Sequence, residues 1–73
     1  MKNRIELITM TDVTEFVNAV SQVEGEVYLI DKNRKFKVNA KSIIGCLLSQ
    51  AEWEETWIES EGDCYELIKK WVI

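Results

Sequence analysis

The sequence predicts an α+β sandwich with element order βαββαβα, one antiparallel sheet covered by helices on a single face. Two observations carry this reading. Strand-like runs are interleaved with short stretches of helical spacing, and one pair of such runs is joined by a tight polar turn.

Arg4-Ile5-Glu6-Leu7-Ile8 alternates as a first strand. Asp12 and Glu15 then stand three apart ahead of an apolar run, the spacing of a capping box with Asp12 as N-cap. Val13, Phe16, Val17, Val20 and Val23 keep helical spacing, so a helix is predicted over 12–23, with Gly25 placed to end it. Glu26–Ile30 is rich in β-branched and aromatic residues and predicts a second strand. Asp31–Arg34 is its turn, and Lys35–Asn39 is the return strand, with Phe36 and Val38 on one face. Ser42 opens a second helix running to about Gln50, with Ile43, Ile44, Leu47 and Leu48 on it. Trp53–Glu59 predicts the fourth strand. The last helix starts at Gly62-Asp63, where Asp63 and Glu66 repeat the capping-box spacing and Cys64, Leu67, Ile68 and Trp71 follow at i, i+3, i+4 and i+7.

The 73 residues make one small domain, and their net charge of −4 disfavours binding to nucleic acid or an anionic membrane. No apolar stretch approaches a membrane span, and the polar start MKNRIE is not a secretory signal. Two cysteines are too few for a disulfide scaffold. A cytoplasmic domain with reduced thiols is therefore expected. The chain contains no histidine, which removes the commonest neutral-pH general base, the commonest metal ligand and any phosphohistidine route. No enzyme activity, cofactor or metal is expected.

Helix starts attract anions through unpaired N–H groups and the positive end of the dipole. At the first and third helices, carboxylates already take those donors: Asp12 with Glu15, and Asp63 with Glu66. The second start has Ser42 as its cap and no carboxylate before Glu52, with Lys35, Lys37 and Lys41 upstream. It is the one suited to carry a phosphate. An ordinary N-cap role for Ser42 is the competing reading, worth about 1 kcal/mol.

The run Val38-Asn39-Ala40-Lys41-Ser42-Ile43-Ile44-Gly45-Cys46-Leu47-Leu48-Ser49 resembles the regulatory-serine region of HPr, the histidine-containing phosphocarrier family of the bacterial sugar phosphotransferase system. The family's pattern there is close to V-N-x-K-S-I-M-G-x-x-S. Glu59-Ser60-Glu61-Gly62-Asp63 resembles its last strand, turn and helix start. The resemblance covers nearly the whole chain and implies an HPr-like open-faced sandwich, with a four-stranded antiparallel sheet and three helices on one face.

The chain departs from the family at the phosphorelay site, G-[IL]-H-A-R-P-A. Thr9 stands near the histidine position, Thr11 near the arginine and Asp12 near the proline. A threonine hydroxyl does not replace an imidazole whose phosphoryl bond is labile, so relay between enzyme I and a transporter is not expected. The resemblance implies instead a regulator phosphorylated on Ser42 by an HPr kinase, then docked on a carbon-catabolite transcription regulator or another phosphotransferase-system protein. Lys41, Ile43, Ile44 and Leu47 would form the contact. A monomer is expected.

A second reading is a phosphorylation-independent binding module, with Ile43, Ile44 and Leu47 or the pair Trp53 and Trp57 as its interface. The two tryptophans, four apart in one strand, would share a face. Packing of at least one of them into the core competes with that. Cys46 and Cys64 lie on apolar helix faces and read as buried thiols. The acidic run Glu52, Glu54, Glu55, Glu59, Glu61 and Asp63 reads as a solvated edge, or as a surface for a basic partner.

Overall fold

Alternation along the strands sends one set of side chains to each sheet face, and only one of those faces meets helices. The computed structural model describes residues 1–73. It contains strands β1 (Lys2–Ile5), β2 (Val27–Asp31), β3 (Lys37–Asn39) and β4 (Thr56–Ser60). The helices are α1 (Met10–Val20), α2 (Ile43–Glu52) and α3 (Tyr65–Ile68), the last running into a 3-10 turn at Lys69–Trp71. The sheet order is β1-β4-β2-β3 with every neighbouring pair antiparallel.

The register aligns Leu29 with Ile58 and Val38, and Val27 with Ser60. Val27, Leu29 and Ile58 are fully buried against Val13, Phe16 and Val20 of α1, Cys46 of α2 and Ile68 of α3. Trp71 closes this layer, its ring edge-on to Phe16 at 5.5 Å. The opposite face has no helical cover. There Ile30 lies opposite Trp57 and Lys37 and is still only 4% exposed. Charged stems and rings shield it: Lys37 sits over the Tyr28 ring at 4.0 Å, Lys2 over Trp57, and Arg34 pairs with Glu59 at 3.2 Å.

The edge strand β1 is covered by the chain's end, through bonds from the Glu6 N–H to the Trp71 carbonyl and from the Ile73 N–H to the Arg4 carbonyl. The other edge, β3, is held by α2. A Cβ on Gly45 would stand 3.0 Å from the Asn39 carbonyl oxygen and 3.3 Å from the Val38 Cβ. That contact, rather than a turn, explains the glycine.

Several element boundaries differ from the sequence expectations. Helix α1 starts two residues earlier, because Thr9 rather than Asp12 is its N-cap. It ends at Val20, and the next three residues tighten into i→i+3 bonds at Gln22 and Val23. Gly25 does not end it; with φ at +83° it turns the following loop toward β2. Strand β1 covers Lys2–Ile5 rather than 4–8, since Glu6 and Leu7 leave the sheet once β4 is fully paired. Phe36 lies outside β3 and is 60% exposed, so it does not share a packed face with Val38.

Strand β4 is shorter than expected, because α2 runs on to Glu52 and Trp53 caps it by donating its N–H to the Ser49 carbonyl. The last helix has a single turn. Cys64 precedes it without a side-chain cap bond, while Asp63 accepts the Tyr65 N–H at 2.9 Å and Glu66 pairs with Lys69. The capping box predicted there does not form.

Replacing Gly45 by Ala sets a gain of about 1 kcal/mol in helix propensity against overpacking of about 1–3 kcal/mol. The Asn39 carbonyl is already tied to the Ser42 N–H at 3.1 Å and has little room to yield. A net loss of about 1 kcal/mol in urea unfolding is expected, and a gain in stability would refute the tight helix–strand contact.

Candidate functional site

Residues Asn39 to Gly45 form a hydrogen-bonded turn between β3 and α2. The Asn39 side-chain oxygen accepts the Lys41 N–H at 2.9 Å, and the Ser42 hydroxyl caps α2 by accepting the Gly45 N–H at 3.2 Å. Ser42 is half-buried, with extended backbone, and no carboxylate lies in the first turn of α2. Beyond it, Ile43, Ile44, Leu47 and Leu48 project to solvent, with Ile44 80% exposed. Cys46 and Ser49 point the other way, into the protein. Leu48 belongs to this stripe as much as Leu47 does, and its helical spacing was the signal for it.

The lysines are not arranged around Ser42 as the sequence suggested. The Lys41 ammonium donates to the carbonyls of Val23 at 2.6 Å and Gly25 at 2.8 Å, tying down the loop after α1. Lys37 is occupied by the Tyr28 ring. Strand β3 and α2 run in opposite directions, so Phe36 and Lys37 border the C-terminal half of α2. Together with Val38, Leu48, Glu52 and Trp53 they line a groove of about 500 Å³. Proximity in sequence misled here because the chain reverses at Asn39–Ser42.

The start of α1 is filled from within. The Thr9 hydroxyl accepts the Asp12 N–H at 3.0 Å, and the Asp12 carboxylate accepts the N–H groups of Thr9 at 3.1 Å and Ile8 at 3.0 Å. Its other oxygen takes the Trp71 indole N–H at 3.4 Å. The backbone bonds, Thr9 first and then Ile8, hold the Asp12 carboxyl below its ordinary value of 3.8. Glu15 is not part of this cap; it pairs with Lys70 at 2.6 Å. Thr11 is exposed. The capping box sits one turn earlier than its expected place, and its anion still occupies the helix start.

Trp53 and Trp57 do not form a pair. Trp53 caps α2 beside the groove, while Trp57 lies on the helix-free sheet face and donates to Glu55 at 3.2 Å. Much of the acidic run is satisfied internally: Glu54 bonds Lys32, Glu55 meets Arg4 at 4.0 Å and Glu59 meets Arg34. Both thiols are buried and unbridged. Burial pushes the Cys46 thiol up to about 11. No group of three or more His, Cys, Asp or Glu is arranged to hold a metal ion.

No protein-family profile, curated protein or solved structure matches this chain.

Two measurements check this geometry. A group whose native value is depressed stabilises the fold above its unfolded value and loses that contribution as pH falls through the native one. Asp12→Ala should therefore lower the urea midpoint at pH 7, and the gap to wild type should shrink below pH 3.8, the ordinary value of this carboxyl. An unchanged gap at low pH would remove the ionised cap. Cys46 should react with a thiol reagent only at the rate of unfolding, so fast labelling of native protein would contradict its placement.

Proposed function

We propose that this chain is an HPr-like regulatory protein of the bacterial sugar phosphotransferase system, acting in the cytoplasm without phosphorelay. In this reading Ser42 is the phosphorylated residue, and Ile43, Ile44 and Leu47 are the docking surface for a protein partner in carbon catabolite control. The βαββαβα order and the single helical layer agree with the fold that the Asn39–Gly45 resemblance implies.

One contrast carries the proposal. The α1 start holds its own carboxylate on two backbone N–H groups, whereas the α2 start has a half-buried serine hydroxyl as its cap and no acid in its first turn. A phosphate on Ser42 would meet unpaired amides and the positive end of the α2 dipole. At the α1 start the same phosphate would meet Asp12. The missing histidine and the filled α1 start both oppose relay.

The placement of Lys41 favours a second reading, a module that binds its partner without phosphate. Its ammonium is spent on Val23 and Gly25, so no cation is committed to an anion at Ser42. The interface is then Ile43, Ile44 and Leu47 alone, because Trp53 and Trp57 lie on different surfaces.

Incubation with an HPr kinase and ATP should add one phosphate, lost in Ser42→Ala, by intact-mass analysis. Absence of the added mass removes the switch. Capture from native lysate with Ser42→Asp and Ile44→Asp separates the readings: partner loss with Ile44→Asp alone supports the phosphate-independent module.

A further inference from the structure

Helix α2 and strand β3 touch at one end and part at the other. They meet at Gly45, where a Cβ would stand 3.0 Å from the Asn39 carbonyl oxygen. Toward Glu52 they separate, and the groove lined by Phe36, Lys37, Val38, Leu48, Glu52 and Trp53 opens between them. It continues into a depression of about 400 Å³, where Asp31, Lys32, Asn33 and Glu54 join Phe36, Glu52 and Trp53.

Three groups at this groove are uncommitted. The Trp57 indole donates to Glu55 and the Trp71 indole to Asp12, but the Trp53 indole N–H has no acceptor in the protein. Glu54 and Glu55 pair with Lys32 and Arg4, but Glu52 pairs with nothing. Glu52 also ends α2, at the negative pole of the dipole, with no basic residue in the last turn to offset it. Both lysines at the groove are taken, Lys37 by the Tyr28 ring and Lys32 by Glu54. The third group is backbone. The Asp31 N–H bonds the Phe36 carbonyl and the Ala40 N–H bonds the Val27 carbonyl. Antiparallel alternation therefore turns the Lys37 N–H and carbonyl outward, along the rim of the groove.

We propose that this groove takes an extended, arginine-containing segment of a protein partner. The segment adds along β3 at Lys37, exchanging backbone bonds there, and its alternate side chains enter the groove. The arginine stem lies on Val38 and Leu48, the guanidinium faces the Phe36 and Trp53 rings, and its donors reach the Glu52 carboxylate. Arginine fits better than lysine, because one planar fork both stacks on a ring and bonds a carboxylate. An uncharged apolar segment would cover Glu52 without pairing it, and an acidic one would add like charge. The site uses neither Ser42 nor the Ile43, Ile44 and Leu47 surface, so it stands apart from the regulatory reading.

The probe is an acetylated, amidated peptide of sequence Val-Arg-Val-Arg-Val, titrated into the isotope-labelled full chain and followed by amide and indole NMR signals. Saturable shifts are expected at the Trp53 indole N–H, Phe36, Lys37 and Glu52, with the Trp57 and Trp71 indole signals unmoved. Trp53→Phe assigns the first signal by removing it. Phe36→Ala and Glu52→Gln change exposed side chains. Each should weaken binding about fivefold, the upper range for an exposed ion pair or ring contact, with thermal melting unchanged. Glu61→Gln removes another exposed, unpaired carboxylate beyond the far end of β4 and should leave binding unchanged. Replacing both arginines by citrulline keeps the shape, drops the charge and should abolish the shifts. Any of these results overturns the proposal: no shift at ~5 mM peptide, citrulline peptide binding as tightly, shifts centred on another surface, or Glu61→Gln weakening binding as much as Glu52→Gln.

Discussion

Burial of one sheet face is the constraint on which the rest of the structure depends. A chain of 73 residues has one apolar layer to hold it, and Val27, Leu29 and Ile58 spend their side of the sheet on it. All three helices bury against that side, while the opposite face is dressed by Lys2, Lys37, Arg34 and their aromatic and acidic neighbours. The helices consequently have an outer surface without a second layer to cover it. On α1 that surface carries Thr14, Glu15 and Asn18; on α2 it carries isoleucine and leucine.

The seating of α2 connects this architecture to the candidate site. Gly45 lets the helix approach β3 until the Asn39 carbonyl would touch a side chain there. The approach holds Ser42 at the mouth of the turn, half-exposed, and rolls Cys46 inward. Rolling Cys46 inward turns Ile44 and Leu48 outward, because residues two apart lie on opposite sides of a helix. One glycine thus links the cap, the buried thiol and the apolar stripe.

Electrostatics separates the two longer helix starts. At α1 the negative charge belongs to the protein, fixed by two backbone donors and joined through the Trp71 indole to the core. At α2 a neutral hydroxyl takes a single N–H. The donor inventory is similar at both ends, and the difference lies in whether an acid stands within reach of them. In the proposed reading, this contrast is the reason for favouring Ser42 over Thr9 or Thr11 as the phosphorylated residue.

Short-range chemistry was legible in the chain itself. Element types and order, the Ser42 cap, the burial of both cysteines and the outward position of Ile43, Ile44 and Leu47 follow from spacing and residue type, which act over one helical turn or one strand repeat. Boundaries were less legible: Thr9 and Asp12 compete with Asp12 and Glu15 for one capping role, and Trp53 satisfies a strand pattern and a helix end equally well. Only tertiary structure decided where the long side chains went. Lys41 reaches loop carbonyls 16 and 18 residues away in sequence, Lys37 crosses to Tyr28, and Asp12 finds Trp71. Those partners are remote in sequence and adjacent only after the sheet has paired, so no local pattern encodes them.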